Sequence, residues 1–308
     1  MSAPVQPDSL RASLRPLAAA QPLTAEQQAY QAFYQLNRLG VQTRLGCFQV
    51  AGYQIAVQLW LPEQPRATLI VQHGYYDHMG LYRHLIEWAL GMGFAVLACD
   101  LPGHGLSSGA RADIGEFGEY QLVLQALLAE AAALQLPAPW HLCGQSTGGA
   151  ILLDYRLRGD APPQLGETIL LAPLVRPRAW GWSQFSYRML KPFVSAIPRR
   201  FNANSNDLEF LQFVQQDPLQ PLSLPTAWVG ALSRWVPAIE AAPRSAHRPL
   251  IVQGDADMTV DWRHNLTVLE DKFAAPQVLM LPSGKHHLVN EAPELRARYF
   301  DFLRERLA

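Results

Sequence analysis

The sequence predicts an α/β fold: a mostly parallel central sheet with helices on both faces, interrupted by a helical cap insertion. Short unbroken apolar runs recur along the chain, helical stretches separate them, and one long stretch containing neither unit breaks the rhythm. Parallel strands covered on both faces require such runs instead of alternation. Repeated strand–helix units then close a parallel sheet with helices on either side.

Residues 1–23, rich in Ala, Pro and Gln, read as a loosely held leader. They lack the apolar core of a signal peptide or a membrane span. Thr24 and Gln27 have the spacing of a capping box, and Tyr30, Phe33, Tyr34 and Leu36 follow at helical intervals up to Gly40. Between Cys47 and Leu61 the pattern is extended with a turn at Ala51-Gly52, which predicts a β-hairpin. Apolar runs at 67–72, 94–99, 140–143, 168–172, 250–253 and 278–281 are the sheet strands. Helical patterns at 82–91, 118–135, 149–157, 262–273 and 293–307 lie between and after them. The stretch between the strands ending at Ala172 and starting at Leu250 carries no strand–helix unit but many aromatics, Trp180, Trp182, Phe185 and Trp228 among them. A connection that long is normally functional, and it reads as a cap over the carboxyl ends of the strands. The expected organisation is a leader and helix at 1–44, a core at 45–173 and 248–308, and a cap at 174–247.

At 308 residues and 49% hydrophobic, the chain can bury one sizeable core. A net charge of −1 gives no electrostatic footprint for a nucleic acid. Cys47, Cys99 and Cys143 are too few for a disulfide framework, and Cys99 and Cys143 sit in strand-like runs as small hydrophobes. A cytoplasmic protein is expected, with no cofactor and no metal.

The pattern G-x-S-x-G occurs twice, at Gly105-Leu106-Ser107-Ser108-Gly109 and at Gly144-Gln145-Ser146-Thr147-Gly148. A nucleophilic serine on a strained turn needs a strand before it, a helix after it and small neighbours. Ser146 follows the run 140–143 and precedes Gly148-Gly149-Ala150, which opens a helix. Ser107 lies in the Gly- and Pro-rich loop after Asp100 and reads as a loop hydrogen-bonding residue. Context therefore selects Ser146.

A serine hydroxyl needs a general base, usually a histidine oriented by a carboxylate. On a strand–turn–helix elbow the chain order is Ser, then Asp or Glu, then His. Downstream of Ser146, His247 precedes a strand and His264 lies in a helical stretch, which leaves His286 and His287 in the loop after the last strand. Asp255, Asp257 and Asp261 follow the strand 250–253. Asp255 suits the turn itself, Asp261 suits a helix cap, and Asp257 is the preferred partner. A developing oxyanion needs backbone donors. The amide of Thr147, just after the nucleophile, is one, and that of Tyr75, after His73-Gly74, is the other.

These residues resemble the monoacylglycerol lipase and lysophospholipase branch of the α/β-hydrolases, which is grouped with serine aminopeptidase-like sequences. The likeness runs from about residue 45 to the end. It includes His73-Gly74, Asp77-His78 and Tyr82; Gly103-His104-Gly105 and Ser107; Gly144 to Gly149; Ser205, Asp207 and Asp217-Pro218-Leu219; Gly254 to Asp257; and Pro282 to Glu291. The resemblance implies the α/β-hydrolase fold and a serine ester hydrolase using Ser146, Asp257 and His286. His286 is chosen over His287 because the family's histidine stands five residues before a glutamate, here Glu291. It implies a lipid ester or other small-molecule substrate with an apolar acyl chain; the competing class is an amidase or peptidase, and beyond enzymes a non-catalytic binding protein. Dehalogenases and epoxide hydrolases of this fold would carry Asp at position 146. Tyr75-Tyr76 replaces the family's small residues, so Tyr76 is expected to line the acyl pocket, with His73, Trp182 and Phe185 as further candidate substrate contacts. Residues 168–206 contain no Asp or Glu but include Arg176, Arg178, Arg188, Lys191, Arg199 and Arg200. This basic run is either a solvated face or a site for anionic headgroups or an anionic membrane.

Overall fold

The computed structural model describes residues 5–19, 22–158 and 162–308. In chain order, helix α1 (Pro7–Ser13) and α2 (Ala25–Phe33) precede the hairpin β1 (Val41–Val50) and β2 (Tyr53–Pro62). The alternation then runs β3 (Ala67–Gln72), α3 (Arg83–Gly91), β4 (Phe94–Cys99), α4 (Phe117–Ala133), β5 (Trp140–Gln145), α5 (Thr147–Leu157) and β6 (Leu165–Leu171). The insertion contributes α6 (Trp180–Leu190), β7 (Ala196–Pro198), α7 (Leu208–Gln216), β8 (Ser223–Pro225) and α8 (Thr226–Glu240). The chain returns to the sheet with β9 (Leu250–Gly254), α9 (Trp262–Lys272), β10 (Gln277–Leu281) and α10 (Pro293–Leu307).

The sheet has eight strands in the order β1-β2-β4-β3-β5-β6-β9-β10. β1 and β2 pair antiparallel, β2 meets β4 antiparallel, and every later pairing is parallel. Every residue of β3, β4 and β5 is buried, which is why their sequences are apolar on both faces. The hairpin turns at Ala51 and Gly52 with φ of 50° and 80°, the left-handed pair that suits a two-residue connection. β1 starts at Val41, ahead of the apolar pattern, because Gln42 and Thr43 pair with Leu61 and Trp60 of β2. β5 runs past its apolar stretch for the same reason: Gly144 and Gln145 pair with Leu170 and Leu171 of β6.

Three expectations change. The described part of the leader is packed, not loosely held: Leu10, Leu14 and Leu17 are buried, and the Cys47 N–H of β1 donates to Arg15 O at 2.7 Å. Residues 1–4 and 20–21 lie outside the described residues. The insertion is also not purely helical, since β7 and β8 form a short antiparallel ribbon. The capping box at Thr24 and Gln27 closes reciprocally and starts α2, which ends at Phe33, short of Gly40.

Candidate active site

Ser146 stands between β5 and α5 with φ 53° and ψ −111°. A side chain in that region is strained and persists only where its surroundings over-determine it. The surroundings here are glycines: a Cβ on Gly144 would strike the backbone of Gly148 and Gly149, and one on Gly148 would strike the carbonyls of Gln72 and His73. The turn is fixed by Ser146 N–H donating to Leu171 O at 2.9 Å and by Ala150 and Leu174 N–H donating to Ser146 O at 2.9 and 3.1 Å. Ile151 and Leu152 of α5 are fully buried, each contributing on the order of 1.5–3 kcal/mol toward seating the helix.

The Ser146 hydroxyl lies 2.9 Å from His286 Nε2, and His286 Nδ1 lies 2.7 Å from Asp257 Oδ2. With the imidazole neutral, the serine donates to Nε2 and Nδ1–H donates to the carboxylate. Burial pushes the Asp257 carboxyl up, but His286 and the amides of Thr259 and Val260, at 2.8 and 3.2 Å, outweigh it and hold the group below its ordinary value. Gln253 Nε2 adds a hydrogen bond to Oδ2 at 3.2 Å. Gln145 Nε2 donates to the His286 carbonyl at 2.8 Å, tying the histidine loop to the strand that carries the serine.

Asp255 accepts from Ser283 N–H at 2.7 Å, and Asp261 caps α9 through His264 N–H at 3.4 Å. Ser107 is buried in the loop after β4: it donates to Asp100 O at 2.6 Å and accepts from Ala56 N–H at 2.9 Å. His287, next to His286, instead meets Asp77 through Nε2 at 3.0 Å. Burial raises the Asp77 carboxyl, yet His287, His73 and the Tyr82 hydroxyl together pull it below the usual carboxylate range.

Thr147 is the first residue of α5, and the first N–H groups of a helix have no intrahelical acceptor. Among the described residues the Tyr75 N–H makes no backbone hydrogen bond either. The Tyr75 side chain is anchored by its hydroxyl donating to Ala112 O at 2.7 Å and by its ring stacked 3.8 Å from Trp228. Both residues, with Ser146 and His286, border a cavity of about 310 Å³ between the carboxyl ends of the strands and the insertion. Leu174, Trp180, Val214, Trp228 and Leu232 form much of its apolar wall, and Tyr76 also lines it.

The other substrate-contact candidates do not reach this cavity. His73 is 1% exposed and latches two loops, accepting the Leu101 N–H on Nε2 at 2.8 Å with Nδ1 against Gly74 O at 2.7 Å. Trp182 and Phe185 are 70% and 55% exposed on the outer side of α6, while Trp180 and Ser183 take the inner side. Helical spacing places 182 and 185 on one face and 180 and 183 on another; aromatic content alone does not distinguish the faces.

The family model described as serine aminopeptidase S33 matches residues 63–293, three-quarters of the chain. The chain belongs to this hydrolase family. A monoacylglycerol lipase of Mycolicibacterium smegmatis is 28% identical over 258 residues, covering 80% of this chain and 90% of the relative. The human monoglyceride lipase is 26% identical over 262 residues, covering 81% and 85%. The crystal structure of a soluble variant of Saccharomyces cerevisiae monoglyceride lipase, in complex with a substrate analogue, superposes with a TM-score of 0.73 at 17% identity, covering 88% and 96%. The sheet described above is the α/β-hydrolase fold. Gln145 and the Asp77–His287 pair are hidden in the sequence as neighbours of the triad candidates because their contacts span 141 and 210 positions, whereas Gln253 stands only four residues before Asp257 and no local pattern marks its side chain.

Proposed function

We propose that this family member is a serine hydrolase of carboxylic esters with an apolar acyl chain, monoacylglycerols, lysophospholipids or similar lipid esters, working through an acyl-enzyme. The observation that carries the reading is Ser146 on a strained elbow, hydrogen-bonded to His286, at the floor of a cavity with an apolar wall. In this mechanism Ser146 Oγ attacks the ester carbonyl while His286 Nε2 takes its proton, and Asp257 stabilises the imidazolium. The amides of Thr147 and Tyr75 hold the oxyanion. His286 returns the proton to the leaving alcohol, then activates water to release the acid. The amide-hydrolase reading is weaker. The carboxylate lining the cavity, Asp77, is engaged by His287 and Tyr82 and so is not free to hold a substrate amine.

The test is hydrolysis of p-nitrophenyl esters, monoacylglycerols and lysophospholipids by wild type and Ser146→Ala, beside fluorophosphonate labelling. Activity and labelling that both vanish in the variant support the reading; labelling that persists sinks it.

The cap's outer surface supports a second element of this proposal, peripheral contact with an anionic membrane. Trp182, Phe185, Met189 at 59% and Phe193 at 85% exposed lie beside Arg188 and Lys191. Exposed aromatic and basic side chains on α6 and the turn that follows it suit an interfacial segment, not a spanning one. Among the described residues no helix is long and apolar enough to cross a membrane. Sedimentation with phosphatidylglycerol-containing vesicles, weakened by Phe185→Ser with Phe193→Ser, is the expected result; equal binding by the variant would refute it.

A further inference from the structure

Six basic residues stand in the acid-free run 168–206, and the structure sends them to different places. Arg176 pairs with Glu240 at 2.5 Å, Arg178 rests on Met258 Sδ at 2.9 Å, and the Lys191 ammonium lies 5.5 Å from the centre of the Tyr187 ring. Arg199 and Arg200 alone of the six line the cavity that holds Ser146.

The Arg199 guanidinium lies over two rings, 4.2 Å from the centre of Tyr76 and 4.4 Å from that of Phe201. Its Nη1 donates to Gln220 Oε1 at 2.5 Å and to Pro221 O at 3.1 Å. The opposite edge, Nε and Nη2, has no hydrogen-bond partner among the described residues, and neither Arg199 nor Arg200 has a carboxylate within 4.0 Å. The two nearby acids are occupied: Asp77 by His287 and Tyr82, Asp217 by His78 and Tyr34. A guanidinium edge with two parallel N–H groups matches a phosphate or carboxylate bidentately, and this one is already immobilised, so little side-chain entropy remains to be lost on binding. Asn202 and Asn204 extend the same polar wall. It stands beside Tyr76, next to the proposed oxyanion donor Tyr75, while Leu174, Trp180 and Leu232 supply the apolar side.

We infer that the substrate is an anionic ester, its acyl chain on the apolar wall and a phosphate on its alcohol portion seated against Arg199 and Arg200. This rests on the ester-hydrolase reading above and narrows it, among the lipid esters named there, to acyl esters of phosphorylated alcohols and away from neutral glycerides. The two arginines bind the headgroup; the bond broken is still the carboxylic ester, with water as the second reactant and the fatty acid and phospho-alcohol as products.

The experiment compares kcat/KM for 1-octanoylglycerol and 1-octanoylglycerol 3-phosphate, both below their micellar concentrations so that surface attraction plays no part. Wild type is expected to prefer the phosphorylated ester by at least about tenfold, and the preference should shrink as ionic strength rises. Arg199→Met with Arg200→Gln should bring the ratio to about one, and Arg199→Lys, which keeps the charge but loses the fork, should fall between. A wild-type preference for the neutral ester, or a ratio unmoved in the double variant, overturns the inference. If p-nitrophenyl octanoate is hydrolysed and Ser146 is labelled in those cases, the hydrolase reading survives. If neither glycerol ester nor the nitrophenyl ester is cleaved and Ser146 is not labelled, that reading fails as well.

Discussion

At the residue scale, the two G-x-S-x-G serines make opposite demands on the chain. Ser146 holds a left-handed φ with its hydroxyl facing an imidazole, whereas Ser107 uses both hydrogen-bonding capacities on backbone groups. Ser107→Ala should therefore keep fluorophosphonate labelling at Ser146 and lose about 1–3 kcal/mol of stability from the orphaned Ala56 N–H and Asp100 carbonyl, read by urea denaturation. A variant without labelling but with full stability would contradict these roles. The buried pair His78–Asp217, 2.8 Å apart, has a pH signature. Burial opposes both charges. Asp217 nevertheless lies below its ordinary 3.8, pulled by His78 and Tyr34, and His78 lies above its ordinary 6.5, pulled mainly by Asp217. The Asp217 contribution is complete above 3.8 and lost as pH falls through its lower folded value. The His78 contribution is complete below 6.5 and lost as pH rises through its higher folded value. Asp217→Asn should cost about 3–5 kcal/mol between those limits and flatten Tm against pH on the alkaline side. An unchanged alkaline slope would assign that slope elsewhere.

At the element scale, the elbow depends on the close approach of β5, α5 and the end of β3. Gly148→Ala is expected to lower stability by at least about 1–3 kcal/mol, because the added methyl meets the backbone carbonyls of Gln72 and His73 and not a movable side chain. Gly91→Ala, at the end of α3 where nothing crowds the added carbon, should be near neutral or stabilising; a thermal melt separates the two. The same geometry explains what the sequence made legible. β3 and β4 coincide with their apolar runs because both faces of each are buried. β1 and the ribbon β7–β8 were less legible: β1 opens with polar residues held by pairing, and each strand of the ribbon is three residues long. At the site, the position of Ser146 on a turn between strand and helix was readable from local context. The choice of His286 over His287 needed the resemblance, since both stand in one loop with a carboxylate partner each. The inner and outer faces of α6 could not be assigned without knowing where the cavity lies.

At the scale of the whole molecule, the chain's beginning and its insertion are joined through the core. Tyr34, just after α2, donates to Asp217 Oδ1 at 2.6 Å, and Asp217 Oδ2 meets His78 between β3 and α3. The histidine loop is bound to the insertion too: His287 N–H donates to Asn204 O at 2.8 Å, and Glu291 accepts the Asn206 N–H at 3.0 Å. The insertion is thus fastened at both the leader and the histidine loop, and Tyr34→Phe should loosen it locally, raising hydrogen exchange in α7 more than in α4. Equal exchange in the two helices would count against that coupling. The packing of residues 14–17 against β1 has a different consequence. β1 is the outermost strand of the sheet, and Gly46, lacking a side chain, lets the Arg15 carbonyl and Leu17 backbone lie directly on it. That contact occupies an outward-facing N–H which another polypeptide could otherwise pair with. The leader is in this sense a guard on an open strand. A chain shortened to begin at Pro22 is predicted to self-associate through β1, with light scattering rising with concentration before any loss of helix signal.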